Sequence, residues 1–234
     1  MVDSGSDGDG KGRAVRVIRN LARRIRHRRT SSRREPVERE TLRQLPHGTG
    51  LRIHVGAGPV RLDGWLNTDI GGSAEYHLDA TKPWPLDAGS VAYVFSDNMI
   101  EHLTLDEARA FLREARAVMA EGAWLRIVTP DPGGVARAYL LDDEAAEAMT
   151  ARHRRAGYRI EHRVDLLRAI YHENGHCAGY LFDEAALRSE LEQAGFRVIR
   201  RTELGHSPDP VLQGLDKRTE PGDQSLLLAM EAQA

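Results

Sequence analysis

Cysteine is nearly absent from the sequence, since Cys177 is the only one among 234 residues. A single cysteine excludes an internal disulfide bond and a cysteine-rich zinc site. Long apolar runs are missing too, and none approaches the roughly 20 residues that a membrane-spanning helix needs. The first ten residues are acidic and no apolar segment follows them, so the sequence predicts no signal peptide. These absences predict a cytoplasmic protein, with peripheral attachment to a membrane left open.

Acidic residues are absent from the range 11–34, which holds eleven lysines and arginines, although the whole chain has a formal net charge of −2. We expect residues 1–45 to form a disordered acidic tip, a basic arm and a linker, and residues 46–234 to form the folded domain. The arm could lie on an anionic membrane surface, bind nucleic acid phosphates or dock on a protein, and its pattern does not choose between them. Apolar residues at helical spacing predict that the arm is an amphipathic helix: Ala14, Ile18, Leu21 and Ile25.

The range 51–70 has the pattern of a nucleotide-binding strand–turn–strand unit. Apolar residues alternate before Gly56, and a second apolar segment follows Gly58 and ends near Asp69. Glycines let a ligand approach the backbone closely, and an acid at the end of the second strand can accept hydrogen bonds from both ribose hydroxyls. The third glycine typical of dinucleotide sites is missing, and only ten residues separate Gly58 from Asp69. The pattern favours a nucleoside without a pyrophosphate and disfavours an NAD-dependent oxidoreductase.

The rest of the chain alternates strand and helix patterns, which predicts a parallel sheet with right-handed crossovers. A capping box at Thr104 and Glu107 begins a predicted helix over 104–119, which Gly122 is expected to end. Charged helical residues over about 132–175 predict an insertion that overhangs the site as a lid. Five further segments are predicted as strands: Tyr76–Asp79, Ser90–Phe95, Trp124–Thr129, Phe196–Arg200 and Ser225–Met230.

The range 172–176 formally matches the zinc-protease pattern H-E-x-x-H, whose two histidines must share one helical face. Its interior contains Asn174-Gly175, a turn dipeptide that a helix tolerates poorly. Glu190 and His206 are the candidates for a third ligand, and neither is convincing by its position. The sequence therefore predicts no metal site.

Several of these motifs resemble the class I S-adenosylmethionine-dependent methyltransferases, and in particular a subgroup of small bacterial predicted methyltransferases. One departure from the family pattern is His54, because an acid often stands there and supports the methionine amino group. The similar segments are the glycine motif, a Gly-Trp-x-Asn-x-Asp run, a Glu-His-Leu after the fourth strand, and a Gly-His before an aromatic-Asp pair: Val55–Gly58, Gly64–Asp69, Glu101–Leu103, Gly175–His176 and Phe182–Asp183.

The resemblance implies a Rossmann-like α/β fold with a seven-stranded, mostly parallel sheet, an antiparallel last strand and helices on both faces. It implies S-adenosyl-L-methionine as the cofactor, with the glycines near the methionine moiety and Asp69 on the ribose. Residues after the third and fourth strands would frame the adenine. The cofactor-binding candidates are Gly56, Ala57, Gly58, Asp69, Leu78, Asp79, Asp97 and Asn98.

The implied function is methyl transfer to an acceptor that the sequence does not identify, and a hydroxyl of a small molecule or sugar is favoured. His102, His172 and His176 are the candidate catalytic residues, because histidine titrates near neutral pH and can remove a proton. The alternative is a non-catalytic module that binds the cofactor or its demethylated product. Its arginine-rich arm would then recruit it to a membrane or to nucleic acid.

Overall fold

The basic helix predicted within 11–34 lies outside the residues that the structure describes. No helix in the described part of the chain is both long and apolar enough to cross a membrane. The structure is a computed structural model, and it describes residues 45–71, 74–141, 143–172, 175–218, 220 and 222–234.

Seven strands form one sheet: β1 Leu51–Val55, β2 Leu66–Asp69, β3 Tyr76–His77, β4 Val91–Asp97, β5 Met119–Pro130, β6 Arg197–Thr202 and β7 Leu227–Gln233. Their order across the sheet is β3-β2-β1-β4-β5-β7-β6. Strand β7 is antiparallel to both β5 and β6, whereas the other neighbouring strands are parallel. The predicted seven-stranded sheet with an inserted antiparallel last strand is confirmed.

Two helices pack on one face of the sheet and three others form the insertion after β5. The helices are α1 Leu105–Val118, α2 Pro132–Leu141, α3 Glu144–Arg155, α4 Val164–His172, α5 Glu184–Gln193 and the short α6 Asp223–Leu226. Helices α1 and α5 contribute Phe111 and Leu187 to the main apolar core. On the opposite face, Trp65, Leu204 and Leu212 form a second apolar cluster with side chains of β4, β5 and β7.

The parallel strands bring their carboxyl ends to a common edge. Val55 at the end of β1 pairs with Thr68 of β2 and Ser96 of β4, and Asp97 pairs with Val128 of β5. The residues that follow these strands therefore meet at one edge, which is where open α/β sheets bind ligands. This is the edge at which the sequence placed its candidate cofactor residues.

The capping box of α1 is confirmed, but the end of this helix was predicted wrongly. Glu107 accepts a hydrogen bond from the Thr104 amide at 2.9 Å and donates its own amide to Thr104 Oγ1 at 3.4 Å. The helix ends at Val118, because Met119 takes an extended conformation and begins β5. Gly122, with φ +78°, lies inside β5 and does not end the helix.

The other differences concern strand boundaries. Strand β3 ends at His77 before the predicted Asp79, β4 continues to Asp97 beyond the predicted Phe95, and β5 begins at Met119 before the predicted Trp124. Strand β6 extends to Thr202, beyond the predicted Phe196–Arg200. Strand β7 begins at Leu227 because helix α6 occupies the start of the predicted Ser225–Met230 strand. Helices α2, α3 and α4, which lie within the range of the predicted insertion, pack through their own apolar cluster, which includes Val135, Met149 and Leu166.

Candidate active site at the carboxyl edge of the sheet

The glycine turn after β1 is shaped by its own backbone. Gly56 and Gly58 have φ values of +71° and +51°, which L side chains rarely adopt. A Cβ atom at Gly56 would lie 2.6 Å from Cβ of Met99, whereas one at Gly58 would meet no heavy atom within 4 Å. Between them, Ala57 is buried and donates its amide to the Thr68 carbonyl at 2.9 Å. The turn is therefore closed against Met99 at its first glycine and open at its second.

Asp69, at the end of β2, fastens this turn. Its Oδ2 atom accepts a hydrogen bond from the Gly58 amide at 2.9 Å, and its Oδ1 atom accepts one from the Gly71 amide at 2.7 Å. A carboxylate oxygen has more than one acceptor direction, so both oxygens keep capacity for a further donor. The structure thus joins the glycine turn to this acid, and contact of Asp69 with a ribose stays a prediction.

The run between the glycines and Asp69 is organised by Asn67. The Asn67 amide group bonds the Leu62 amide at 2.9 Å and the Trp65 carbonyl at 3.1 Å. Its Oδ1 atom also lies 3.2 Å from Nδ1 of His54, and its Nδ2 atom donates to Glu75 at 2.6 Å. Asn67 therefore holds the loop before β2 in place. Sequence reasoning quoted this asparagine in a motif without assigning it a role.

His54 is buried within the sheet. Besides its contact with Asn67, its ring lies 5.1 Å from the ring of Phe95 on β4. Burial lowers the pKa of His54 below its ordinary value, and the nearby Arg61 acts in the same direction. His54 thus joins three strands as a neutral group at physiological pH.

Leu78 and Asp79 follow β3. Leu78 is buried in the main core. Asp79 Oδ1 accepts hydrogen bonds from the Thr81 amide at 3.0 Å and from Thr81 Oγ1 at 2.7 Å. This is the arrangement of an Asx-turn, which leaves Oδ2 of Asp79 outside these two bonds. Contact of these residues with an adenine ring stays a prediction.

Asp97 ends β4 and Asn98 follows it, beside an arginine from the β6–β7 connection. Arg218 Nη2 lies 2.8 Å from Asp97 Oδ1, and its Nη1 atom lies 3.5 Å from Asn98 Oδ1. Burial raises the pKa of Asp97, and the charge of Arg218 opposes that rise. Asn98 has φ +51°, a rare conformation for a residue other than glycine. Arg218 is a site residue that sequence reasoning missed, because its segment showed only a loop pattern.

A buried ionic cluster holds the β6–β7 connection against β5. Arg126 is fully buried, and its guanidinium contacts Asp216 Oδ1 at 2.9 Å and Glu231 Oε1 at 2.7 Å. It also donates to Thr202 Oγ1 at 2.8 Å and to the His206 carbonyl at 3.1 Å. The cluster fixes the course of the segment that carries Arg218 to the site.

A cavity of about 220 Å³ lies between the sheet edge and the helical insertion. The sheet edge contributes polar residues, the insertion contributes both polar and apolar ones, and Arg218 closes one side. Arg152, on the insertion, is paired with Asp223 at 2.9 Å. The lining includes Asn98, Glu101, His102, Arg152, His153, Ile170, His176 and Arg218.

Glu101, His102 and His176 meet at the floor of this cavity. Two short 3-10 helices carry them, Ile100–His102 and His176–Ala178, and the Tyr180 amide joins the two segments by donating to the Leu103 carbonyl at 2.8 Å. The rings of His102 and His176 have centroids 5.2 Å apart. One potential ligand atom from each of the three side chains lies within 4.8 Å of the others.

Glu101 is the most unusual member of this group. It is fully buried, and its Oε2 atom accepts a hydrogen bond from Thr129 Oγ1 at 3.1 Å. Its Oε1 atom has no hydrogen-bond partner among the described residues. Burial raises the pKa of Glu101 to about 7. The sequence names His102 as a candidate catalytic residue and gives Glu101 only as part of the Glu-His-Leu motif.

The H-E-x-x-H segment does not form one continuous helix. His172 is the last residue of α4, Gly175 has a left-handed conformation, and His176 begins a separate 3-10 helix. His172 is exposed and lines a second, wider cavity of about 800 Å³, which His176 also borders. Of the proposed third ligands, Glu190 is paired with Arg109 at 2.8 Å. The structure thus brings together His102 and His176, and places His172 in the wider cavity.

Comparisons with known proteins support the fold. No family model and no curated protein sequence matches this chain. A solved SAM-dependent methyltransferase from Archaeoglobus fulgidus is similar over 81% of this chain and 89% of its own, with 14% identity and a TM-score of 0.51. Another from Mesorhizobium loti is similar over 81% and 94%, with 15% identity and a TM-score of 0.48.

A third solved structure, from Thermotoga maritima, is described as a SAM-dependent methyltransferase and possible histamine N-methyltransferase. It is similar over 81% of this chain and 83% of its own, with 15% identity and a TM-score of 0.47. At identities this low, similarity to a solved structure bears on the fold alone. Together with the strand order, the Archaeoglobus similarity shows that this chain has the fold of the class I SAM-dependent methyltransferases.

Proposed function

We propose that this protein is a methyltransferase that uses S-adenosyl-L-methionine. The observation that carries the proposal is the Asp69 carboxylate, which bridges the amides of Gly58 and Gly71 at the carboxyl edge of the sheet. An acid in this position, beside an open glycine turn, suits a ribose with two neighbouring hydroxyls. The fold supports the same cofactor class.

The residues present fit the cofactor. The space beside Gly58 is open, so a methionine moiety can approach the backbone there. Asp97 and Asn98 stand at the end of the neighbouring strand β4, on the side where the adenine would lie. Leu78 and Asp79 would bound the adenine from β3, as the sequence predicted.

The acceptor would enter the cavity of about 220 Å³ beneath the insertion, which is the size of a small molecule. Its lining is mixed. Ile170 and Ala169 are apolar, Asn98 is polar, and Arg152 and Arg218 are each paired with an aspartate. Such a lining suits a polar acceptor with some apolar surface. A hydroxyl of a small molecule or sugar is the acceptor that we favour.

When bound, the cofactor supplies a methyl group on a positively charged sulfur, which keeps the electron pair as that carbon bonds to the acceptor. The chain's own residues would orient the acceptor and exclude water, and positioning alone can supply much of the rate enhancement. A hydroxyl acceptor must also lose its proton. His102 and His176 border the cavity and are the candidates to accept that proton, and His172 stays a candidate from the wider cavity.

The test is calorimetric titration of the purified protein with S-adenosylmethionine, S-adenosylhomocysteine and NAD. We expect micromolar binding of the first two and none of NAD. Asp69→Ala should weaken cofactor binding by about 1–3 kcal/mol, because charge-assisted hydrogen bonds to the ribose are lost. Asp87→Ala is the matched control, because Asp87 is exposed and pairs only weakly with His47 at 3.9 Å.

Equal affinities of the Asp69→Ala variant and the wild type would refute the ribose assignment. Binding of NAD, or of none of the three compounds, would refute the methyltransferase proposal itself. The alternative of a non-catalytic module depends on the arm within 11–34, which lies outside the described residues, and no contact in the structure favours it.

A further inference from the structure

We propose that Glu101, His102 and His176 form a binding site for one divalent transition-metal ion at the floor of the acceptor cavity. The proposal rests on the donor set, on the unpaired oxygen of Glu101 and on the hydrogen bond of His176. Binding of the metal does not depend on the proposed methyltransferase function. Its role, activation of the acceptor, does.

The donor set is that of a metal site with open coordination positions. Two imidazole nitrogens and one carboxylate oxygen suit Zn²⁺, Fe²⁺, Co²⁺ or Mn²⁺ better than the hard cations Mg²⁺ and Ca²⁺, which prefer oxygen ligands alone. Three protein ligands leave at least one position for a water molecule or a substrate. Here that position would face the cavity that these three residues line.

The unpaired Oε1 atom of Glu101 points to a missing partner. A fully buried carboxylate oxygen without a hydrogen bond is costly, and native structures contain few of them. The other oxygen, Oε2, accepts a hydrogen bond from Thr129 Oγ1 at 3.1 Å. Carboxylates that bind metals are commonly oriented by such a hydrogen bond to the oxygen that does not bind the ion. A cation bound at Oε1 would supply the partner that the described residues do not.

His176 is also arranged as a metal ligand. Its Nδ1 atom lies 2.8 Å from the carbonyl oxygen of Ile170, so Nδ1 carries the proton and Nε2 is the free acceptor. Metal-binding histidines usually donate their second ring nitrogen to a carbonyl or carboxylate in this way. The ring of His176 is buried, which fixes its direction toward the neighbouring His102.

The distances require only small adjustments. The three ligand atoms lie within 4.8 Å of one another, and ligand atoms around one ion stand about 3–4 Å apart. His102 is exposed, so its side-chain torsions can turn without disturbing the core. The exposed position also gives the ion a path from solvent.

The site would act on the acceptor as a Lewis acid. A hydroxyl bound to a divalent ion loses its proton more readily, which makes its oxygen a stronger nucleophile at neutral pH. The ion would lower the pKa of that hydroxyl, so that its proton could pass to solvent water while His102 and His176 hold the metal. It would also hold the acceptor oxygen at the end of the cavity nearest β4.

The test is titration of chelator-treated full-length protein with Co²⁺ alone, followed by its visible absorption and by calorimetry. We expect one ion per chain with micromolar affinity and a spectrum typical of nitrogen and oxygen ligands. Glu101→Gln and His102→Ala should each weaken Co²⁺ binding at least tenfold. His102→Ala removes an exposed side chain, so its fold, checked by circular dichroism, should be intact.

His172→Ala is the matched control, and its Co²⁺ affinity should equal that of the wild type. Loss of binding in His172→Ala, with retention in His102→Ala, would assign the ion to the H-E-x-x-H histidines and overturn the proposal. Absence of Co²⁺ binding by the wild type would overturn it too. Protein that binds S-adenosylmethionine but not Co²⁺ would refute the metal site alone, and the converse would refute the proposed function alone.

Discussion

Two buried ionic clusters use side chains of β5, and they differ in how completely their charged groups are paired. In the first, Arg126 contacts both Asp216 and Glu231, and every one of these groups is buried. In the second, Glu101 receives one hydrogen bond from Thr129 and has one oxygen without a described partner. In the first cluster every charged group is paired within the described chain, as in a structural cluster. In the second, Glu101 lines a cavity and has one unpaired oxygen.

The comparison teaches how to separate structural from functional buried charge. A buried ion pair with all its hydrogen bonds made can hold two segments together without binding anything else. A buried charge with an unused acceptor is expensive, and it persists at sites where a ligand or ion completes it. Burial alone does not distinguish Arg126 from Glu101, because both side chains are fully buried.

Replacing Arg126, the residue that joins the first cluster, should produce the largest loss of stability. Arg126→Met would leave Asp216 and Glu231 buried, with Glu231 paired only to Arg200, so we expect a loss of about 3–5 kcal/mol in unfolding free energy. Urea denaturation measures it, with Arg113→Met on the exposed side of α1 as the control. A loss below about 1 kcal/mol would mean that the cluster is not what holds the β6–β7 connection.

An intermediate effect is expected from the second cluster. Thr129→Val would remove the hydrogen bond that Thr129 donates to the Glu101 carboxylate and should cost about 1–3 kcal/mol in chelator-treated protein. Thr68→Val is the matched control, because Thr68 is equally buried but donates to a neutral carbonyl, that of His54, at 3.0 Å. We expect the control to cost less. Equal costs would show that the Glu101 charge does not depend on Thr129.

The smallest effect on stability is expected from His54, a buried side chain whose neutral form is favoured by burial. Its pKa is lowered in the fold, chiefly by burial, so the unfolded chain binds the proton first as the pH falls below the ordinary value of 6.5. Unfolding then takes up a proton, and stability should decrease as the pH falls through that value. Urea midpoints at about pH 7.5 and pH 5.5 should differ less in His54→Gln than in the wild type.

The control for this comparison is His77→Gln, because His77 is exposed in β3. Its pH dependence should match that of the wild type. An unchanged pH dependence in His54→Gln would show that another group, such as the buried His153, dominates the acid response of the fold.

Much of the fold was predictable because its signals are local. Apolar runs and a capping box lie within a few residues of each other, so β1, β4 and the start of α1 could be recognised from short windows. The end of α1 could not, because Met119 leaves the helix to pair with Val91 on another strand. Pairing of this kind depends on the completed sheet.

Contiguous motifs indicated individual candidate residues, whereas contacts between distant segments could not be read from the sequence. The glycine turn and Asp69 stand close together in sequence, and the structure joins them. Arg126 and Asp216, or Glu101 and His176, are distant in sequence and meet only after the sheet and insertion have formed. No pattern around Arg218 distinguishes it from an ordinary loop arginine.

The hydrogen bonds of Asp69 have a kinetic consequence. Because the carboxylate already fixes the amides of Gly58 and Gly71, the turn needs no rearrangement to receive a ligand. Association should then proceed without the slow conformational step that lowers association rates elsewhere. Methylated and demethylated cofactor would accordingly be distinguished by how long each resides on the protein, that is, by their dissociation rates.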